Sequence, residues 1–153
     1  MVGEIQDIFG LGASPELMGL FVGVLLFFIV LFTAIYIYVA FAYMKIAKKM
    51  KYPKPWLSWI PFANIAMWFQ MGGFDWKWVF LMIIPFFMNP IAGISFAAIP
   101  YMVLLIISHW RVFEKLGYAP WLSLSIALWI IPYVNIIGYL SYLITIGIVA
   151  WKK

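Results

Sequence analysis

No charged residue occurs in the 26 residues from position 18 to position 43. As an α-helix this run would be about 39 Å long, which exceeds the roughly 30 Å of hydrocarbon in a bilayer. Ser14, Pro15 and Glu16 precede it, and a serine cap, an early proline and an acid in the first turn are typical of a helix start. Because its flank is acidic and its length is too great for a leader peptide, the run predicts a transmembrane helix.

The composition extends this conclusion to the whole chain of 153 residues. Hydrophobic residues make up 67% and charged residues only 10%, whereas soluble domains are roughly 45–50% apolar and about a quarter charged. So little charge cannot cover so much apolar material with a water-facing surface. The composition therefore excludes a soluble enzyme, a disordered chain and a nucleic-acid-binding protein, and predicts residence in the cell membrane.

Three more apolar segments follow, at 56–71, 78–107 and 121–150. Prolines interrupt all three, and a proline inside a helix removes a hydrogen bond and kinks or ends it. Tryptophans mark the segment edges, as expected for side chains at the headgroup level. They are Trp56, Trp76, Trp78, Trp110, Trp121 and Trp151. We expect an all-α, polytopic transmembrane bundle with about four membrane segments and proline-broken helices, in which residues 1–14 form a tail and 15–153 one transmembrane domain.

Two parts of the chain resemble each other and indicate an internal repeat. Residues 45–58 pair with residues 111–123 after a one-residue gap, and both end in Pro-Trp-Leu-Ser. An Ile-Pro-x-x-Asn-Ile block follows in each, ending near Asn64 and Asn135, and a looser version surrounds Asn89. The repeat units are about 45–71 and 111–150, with the looser unit at 78–107.

Charge placement predicts the orientation. Five lysines, Lys45, Lys48, Lys49, Lys51 and Lys54, follow the first apolar run. The positive-inside rule makes this loop cytoplasmic and the acidic amino terminus external. If all four segments cross, both basic blocks are cytoplasmic and the carboxyl terminus is external, which is the arrangement we favour. If 56–71 is instead re-entrant or interfacial, the carboxyl terminus is cytoplasmic and residues 109–119 are external.

The Trp…Ile-Pro-x-x-Asn blocks, together with the basic link at 110–117, resemble an uncharacterised family of small multi-pass membrane proteins of bacteria and archaea. Its members are sometimes loosely labelled signal-peptidase-like. The resemblance covers roughly residues 43–138 and leaves out the first helix. It implies a membrane architecture and no established activity.

Side chains for catalysis are scarce. The chain has no cysteine and one histidine, His109, and all five acids lie in or beside loops or termini. A serine–lysine pair could be formed by Ser58 and Lys54, and a proton relay by His109 and Glu114. We interpret the first pair as an interfacial turn with a snorkelling lysine and His109 as a polar residue at headgroup level, since five residues is poor same-face spacing. No catalytic residue, cofactor or metal ligand is expected.

Four amides interrupt the apolar segments and leave a transport function open. Buried amides are costly in lipid without partners, and broken helices line the substrate sites of many transporters. The residues are Asn64, Gln70, Asn89 and Asn135. They predict either a polar pathway for a small neutral or hydrophobic solute or, as we prefer, local caps at the helix breaks.

Small residues at helical spacing predict association. Gly19 and Gly23, and Gly93 with Ala97, form small-x-x-x-small patterns that let helices approach closely. Packing within the chain is the first explanation, and a homo-oligomer or a membrane protein partner is the second. The lysines add a partner, the anionic lipid headgroups. We therefore expect a non-catalytic packing, accessory or oligomerisation role, with a small pore or facilitator as the alternative and a membrane enzyme as the third hypothesis.

Overall fold

The structure is a computed structural model, and it describes residues 14–82, 98–130 and 134–152. It contains four α-helices: α1 (Pro15–Lys49), α2 (Ala63–Met71), α3 (Ala98–Lys115) and α4 (Asn135–Trp151). Three 3-10 helices connect them, at Pro55–Trp59, Trp76–Met82 and Pro120–Ile130. Because these ranges contain no β-strand, the prediction of an all-α protein is confirmed for the described residues.

Helix α1 begins where the sequence predicts. The backbone N–H of Leu17 donates to Ser14 Oγ at 3.5 Å, which makes Ser14 the cap and Pro15 the first helical residue. The chain forms two compact units, Met1–Ile37 and Tyr38–Lys153. Between residues 20 and 32 of the first unit, every large apolar side chain is 39–68% exposed. Among the described helices, Pro15–Lys49 is the one that is long and apolar enough to cross a membrane.

The second unit has its own hydrophobic core, to which all four helices and the third 3-10 helix contribute. Its largest fully buried apolar side chains are Trp68, Phe69, Phe113, Ile46, Met67, Ile126 and Ile146. The third 3-10 helix packs against both α3 and α4, and α2 packs against α3. Close packing of these side chains joins the four helices in one cluster.

Pro61 separates two helices as predicted, whereas Pro100 does not interrupt its helix. Pro61 separates the first 3-10 helix from α2, as expected. Pro100 lies within α3 as described, and the helix continues from it without interruption. Helix α3 therefore continues past the expected limit at Ile107 to Lys115. Pro85, Pro90 and Pro132 lie outside the described residues.

The ends of α1 and α3 are built in the same way. The backbone N–H of Tyr52 and that of Tyr118 each bond, at 2.9 Å, to the carbonyl five residues earlier. The residue before each tyrosine has left-handed backbone, with φ of 54° at Lys51 and 75° at Gly117. This is a Schellman motif, which satisfies the last carbonyls of a helix and normally places glycine at the left-handed position.

The Pro-Trp-Leu-Ser segments that follow these ends also share a conformation. Each begins a 3-10 helix. Their tryptophans are exposed, Trp56 by 56% and Trp121 by 63%, while Ser58 and Ser123 are completely buried. Equivalent residues in the two segments thus have equivalent surroundings.

Lysines at the ends of α1 and α3 bind the carboxyl ends of the other two helices. Lys49 Nζ donates to the carbonyl oxygens of Val149 at 2.6 Å and Lys152 at 2.7 Å, at the end of α4. Lys115 Nζ donates to the carbonyl oxygen of Met71 at 3.0 Å, at the end of α2. A cation at a helix carboxyl terminus stabilises the orphan carbonyls and the negative end of the helix dipole. Lys49, at the end of α1, therefore caps α4, and Lys115, at the end of α3, caps α2.

These contacts bring the carboxyl end of α4 to the end of α1. Lys49 donates to the Lys152 carbonyl, so the end of α4 lies beside the basic loop. The Tyr118 hydroxyl donates to the same carbonyl at 2.8 Å, so the loop after α3 lies there too. In the segment after α1, the Tyr52 hydroxyl donates to Gln70 Oε1.

Candidate functional site

A partly enclosed cavity lies in the second unit, with a volume of about 220 Å³. Its wall combines aliphatic, aromatic and uncharged polar side chains. They are Val39, Tyr43, Asn64, Ile65, Trp68, Tyr101, Leu105, His109, Ile126 and Tyr142. All four helices and the third 3-10 helix contribute to this wall. Helix α4 contributes Tyr142, and the third 3-10 helix contributes Ile126.

A chain of hydrogen bonds runs along this wall. His109 Nδ1 lies 2.8 Å from the Leu105 carbonyl oxygen, and His109 Nε2 lies 2.9 Å from the Tyr142 hydroxyl. The Tyr142 hydroxyl lies 2.6 Å from the Tyr43 hydroxyl. A carbonyl only accepts, so Nδ1 of the neutral ring carries the proton, and Nε2 accepts from Tyr142. The Tyr142 oxygen in turn accepts from Tyr43, and every group in the chain has a partner.

Trp68 is the aromatic centre of the site. Its ring stacks on His109 with centroids 3.9 Å apart and 14° between the planes, and it meets Tyr43 edge-on at 5.1 Å. The side chain is 1% exposed, yet its indole Nε1 has no hydrogen-bond partner in the described part of the chain. A buried donor left without a partner costs about 1–3 kcal/mol. The site thus keeps one unused donor beside a cavity.

None of the described residues that line this cavity carries a charge, and both nitrogens of His109 are engaged. General acid–base catalysis requires a group that can exchange a proton with a substrate. Among the residues that the structure describes, no three His, Cys, Asp or Glu side chains lie close enough to hold a metal ion. The geometry suits the binding of an uncharged molecule.

The amides predicted to form a pathway lie in different places. Asn64 lines the cavity. Gln70 is exposed, accepts from Tyr52, and lines a separate open groove that also contains Lys54 and Trp76. Asn135 is the first residue of α4, and the cap position is occupied by Val134. Asn89 lies outside the described residues, so the structure brings only Asn64 to the cavity.

The two pairs considered for catalysis are not formed. Ser58 Oγ is buried and has no hydrogen-bond partner in the ranges described, while Lys54 is exposed. His109 is 2% exposed and bonds to Tyr142, whereas Glu114 is exposed. The interpretation of His109 as a headgroup-level residue is therefore wrong. Aromatic neighbours bury it in the core of the second unit.

The five lysines of the basic loop divide into two groups. Lys49 caps α4, and Lys45 Nζ lies over the Trp151 ring at 4.6 Å from its centroid. Lys48, Lys51 and Lys54 are exposed, and these three remain accessible to anionic headgroups. In the second repeat, Arg111 takes the place of Lys45: it donates to the Gly72 carbonyl at 3.1 Å and lies over the Phe74 ring at 4.7 Å. Burial raises the pKa of Tyr52, in the loop between Lys51 and Lys54.

The predicted packing glycines lie on an open surface. A methyl group built on Gly19 or Gly23 would meet no described atom within 4 Å. These two glycines therefore do not pack against another described part of this chain. Gly93 and Ala97 lie outside the described residues.

Sequence reasoning missed Tyr43, Trp68 and Tyr142. A signal for Tyr43 was present, since extending the repeat alignment backward by two residues places Tyr43 opposite His109. Both residues contact Tyr142 in the structure. Nothing in the sequence separates the buried Trp68 from the exposed tryptophans at the segment edges.

Neither a protein-family model, nor a curated protein, nor a solved structure matches this chain.

Proposed function

We propose that this chain is a multi-pass integral membrane protein with a non-catalytic role, in which α1 associates laterally with a second copy of the chain or with another membrane protein. The observation that carries the proposal is the exposed apolar surface of α1. Large side chains that are 39–68% exposed between residues 20 and 32 are typical of a helix whose surroundings are lipid or another helix.

The glycine pair gives this surface a contact face. Gly19 and Gly23 are one helical turn apart and a methyl group on either would meet nothing within 4 Å. Two helices approach closely at such a face, and dispersion and backbone contacts then hold them together in lipid. Phe21 and Phe28 lie on the opposite side of the helix, about 180° away at 100° per residue, and supply a matched control.

The proposed orientation places the basic end of the second unit in the cytoplasm and the amino terminus outside. The carboxyl ends of α1 and α4 meet there through Lys49, and those of α2 and α3 through Lys115. This arrangement supports two re-entrant segments, at 55–71 and 120–151, each following a helix that enters from the opposite side. The matching Schellman ends and Pro-Trp-Leu-Ser segments support the proposal that the two arose by duplication.

Fluorescence energy transfer tests the association. Donor- and acceptor-labelled copies of the full-length protein are mixed in liposomes and then diluted with lipid. Self-association predicts energy transfer that depends on the protein-to-lipid ratio and on the acceptor fraction. Gly19→Leu with Gly23→Leu should shift this dependence to at least tenfold higher protein density, because bulky side chains separate the helices.

The control pair, Phe21→Leu with Phe28→Leu, should leave the dependence unchanged. If native, glycine-substituted and control proteins all transfer energy only at the level of random encounter, α1 does not bind a second copy. Detection of another membrane protein at fixed stoichiometry, by native mass spectrometry of the chain extracted in mild detergent, would then assign α1 to a heterologous complex. A bare monomer in both assays would refute the proposed role.

The cavity lined by Asn64 favours a second function, a small facilitator for neutral solutes. If the cavity belongs to a pathway, the native protein should carry solute into liposomes above the background of empty liposomes, and Asn64→Leu should lower this flux to background. Flux at background for the native protein, or equal flux above background for native and variant proteins, would refute the facilitator.

A further inference from the structure

We propose that the open groove beside Lys54 binds the headgroup of one anionic phospholipid, with the phosphate at the polar end of the groove and the start of an acyl chain along its apolar part. This lipid site rests on the membrane residence proposed above, and it adds one specific lipid to the surroundings of the chain. Three observations carry it: two uncommitted donors at one end of the groove, a lining without acids, and a second groove in the chain that lacks both donors.

The groove lies between the loop after α1 and one face of α2. Ala63, Ala66 and Gln70 line it, and their spacing places them on a single side of the helix. At 1.5 Å per residue, Gln70 is about 10 Å from Ala63 along the helix axis. The volume of the groove is about 560 Å³, within the roughly 300–1,000 Å³ that is typical of ligand pockets. A lipid headgroup is of the size that such a groove accepts.

Polar groups collect at the Gln70 end of this face. The Tyr52 hydroxyl donates to Gln70 Oε1, so the amide nitrogen of Gln70 keeps its two N–H donors. Lys54, two residues beyond Tyr52, lines the same groove. Lys54 and Gln70 are both exposed, and neither the ammonium nor the amide nitrogen has a partner among the described residues. Both groups can only donate, so the ligand must present acceptor oxygens, and the ammonium favours a negative charge on them.

Acids do not compete for this position. None of the described residues that line the groove is an aspartate or a glutamate. Asp75, the acid nearest to them in sequence, accepts from the backbone N–H of Lys77 at 3.0 Å and does not line the groove. The exposed Lys48 and Lys51 of the same loop add to the positive potential. A phosphodiester with one negative charge therefore gains a partner here.

The rest of the groove favours a lipid over a free phosphate ion. Leu57 lines it together with Ala63 and Ala66, and these side chains are entirely hydrocarbon. Trp76 also lines the groove and is 46% exposed, and tryptophan combines an apolar ring with an N–H donor, as side chains at the headgroup level do. A phosphate ion would leave this hydrocarbon in contact with water, whereas the glycerol and upper chain of a phospholipid cover it.

A second groove, after the other Pro-Trp-Leu-Ser segment, shows what the first one adds. It has a volume of about 290 Å³ and is lined by Leu122, which aligns with Leu57. A single alanine separates Tyr118 from Pro120, so this groove has no counterpart of Lys54. None of its described lining residues is charged. Its hydroxyl groups each donate to a carbonyl three or four residues earlier, at 2.8–2.9 Å; they belong to Ser125, Ser141 and Thr145.

Site-specific quenching by spin-labelled lipids tests the site. The chain has no cysteine, so Trp56→Cys supplies a single thiol for a bimane label near Lys54, and Trp121→Cys supplies the equivalent reporter at the second groove. Each labelled full-length protein is reconstituted into phosphatidylcholine liposomes with increasing fractions of doxyl-labelled phosphatidylglycerol or doxyl-labelled phosphatidylcholine. At residue 56, phosphatidylglycerol should quench more strongly than phosphatidylcholine, and this excess should saturate. At residue 121, the two lipids should quench equally.

Three substitutions separate the groove from the general attraction of the basic loop. Lys54→Gln should raise the phosphatidylglycerol fraction at half of the excess quenching about fivefold, the effect of one lysine at an anionic surface. Lys48→Gln removes the same charge outside the groove and should change this fraction less than about twofold, because solvent and salt screen a charge that does not touch the lipid. Ala66→Leu leaves every charge in place, fills the apolar part of the groove and should remove the excess quenching.

Equal quenching by the two lipids at residue 56, or equal effects of Lys54→Gln and Lys48→Gln, would overturn the lipid site. Inorganic phosphate, added at constant ionic strength, should leave the excess quenching in place, and relief by phosphate would overturn the assignment to a lipid. If Ala66→Leu lacks the native helical circular dichroism, the two exposed lysines still decide the outcome. Flotation of the liposomes in a density gradient tests membrane residence separately. A chain that does not float refutes that residence and the lipid site with it, whereas a chain that floats without excess quenching refutes the lipid site alone.

Discussion

Lys51 aligns with Gly117 in the two similar segments of the sequence. This difference predicts that Lys51→Gly stabilises the protein. Left-handed backbone costs a non-glycine residue about 1–2 kcal/mol, and Lys51 has φ of 54°. Replacing lysine by glycine removes that strain but adds about 0.5–1 kcal/mol of conformational freedom to the unfolded chain. We expect Lys51→Gly to raise the free energy of unfolding by about 0.5–1 kcal/mol.

The converse substitution lies at Gly117, where φ is 75° and a methyl group would meet no described atom within 4 Å. Steric clash is thus absent, and Gly117→Ala should cost about 1 kcal/mol through backbone strain alone. Lys48→Gly provides the matched control in the last turn of α1. There the helix requires right-handed backbone, so the same exchange of lysine for glycine should destabilise by up to about 1 kcal/mol.

Reversible unfolding in mixed micelles with increasing SDS measures all three variants against the native chain, with helical circular dichroism as the signal. The reasoning predicts opposite signs for Lys51→Gly and Lys48→Gly, three residues apart. If Lys51→Gly destabilises the protein as Lys48→Gly does, residue 51 is not left-handed and α1 does not end in a Schellman motif. An unchanged stability for Gly117→Ala would contradict the same motif at the end of α3.

Three further substitutions test the packing and the helix caps of the second unit. Gly72→Ala should lower the free energy of unfolding in the same titration by about 1–3 kcal/mol, because the new methyl carbon would lie 2.7 Å from Ser108 Cα. Gly19→Ala, at an open position, is the control. Equal stabilities of the two variants would show that α2 and α3 do not approach as described. Lys49→Met and Lys115→Met should each lower the free energy of unfolding by about 1–2 kcal/mol, since each leaves helix-end carbonyls without a cationic donor. Lys48→Met, which removes an exposed charge, should change it by less than about 0.5 kcal/mol. A similar loss of stability at all three positions would mean that the net charge, and not helix capping, is responsible.

The sequence was sufficient for the helical class and for the local features with strong chemical signals. Ser14 and Pro15 set the start of α1, and Pro61 separates two helices, because caps and missing N–H groups act through neighbouring residues. The internal repeat stays a prediction, although both Pro-Trp-Leu-Ser segments begin a 3-10 helix, at Pro55–Trp59 and at Pro120–Ile130. Within the described ranges, only the first of the four expected membrane segments forms a helix long and apolar enough to cross a bilayer.

The side on which α4 ends could not be read from the sequence, because apolar length and charge count do not distinguish a crossing from a segment that turns back. The hydrogen bonds of Lys49 join residues 100 and 103 positions apart, and no local pattern reports such a separation. The cavity was missed for the same reason: Tyr43, Trp68, His109 and Tyr142 meet through tertiary packing. His109 looked like an interfacial residue because its partners are distant in sequence.

The reciprocal lysine caps impose an order on biosynthesis. The Met71 carbonyl receives its lysine 44 residues later in the chain, whereas Lys49 must wait for a carbonyl 100 residues later. As the chain leaves the ribosome, the carbonyl at the end of α2 can meet its lysine once residue 115 emerges, whereas Lys49 can meet both of its carbonyl partners only after residue 152 is made. A chain that stops before α4 therefore completes the lysine cap on α2 and lacks both carbonyl partners of Lys49.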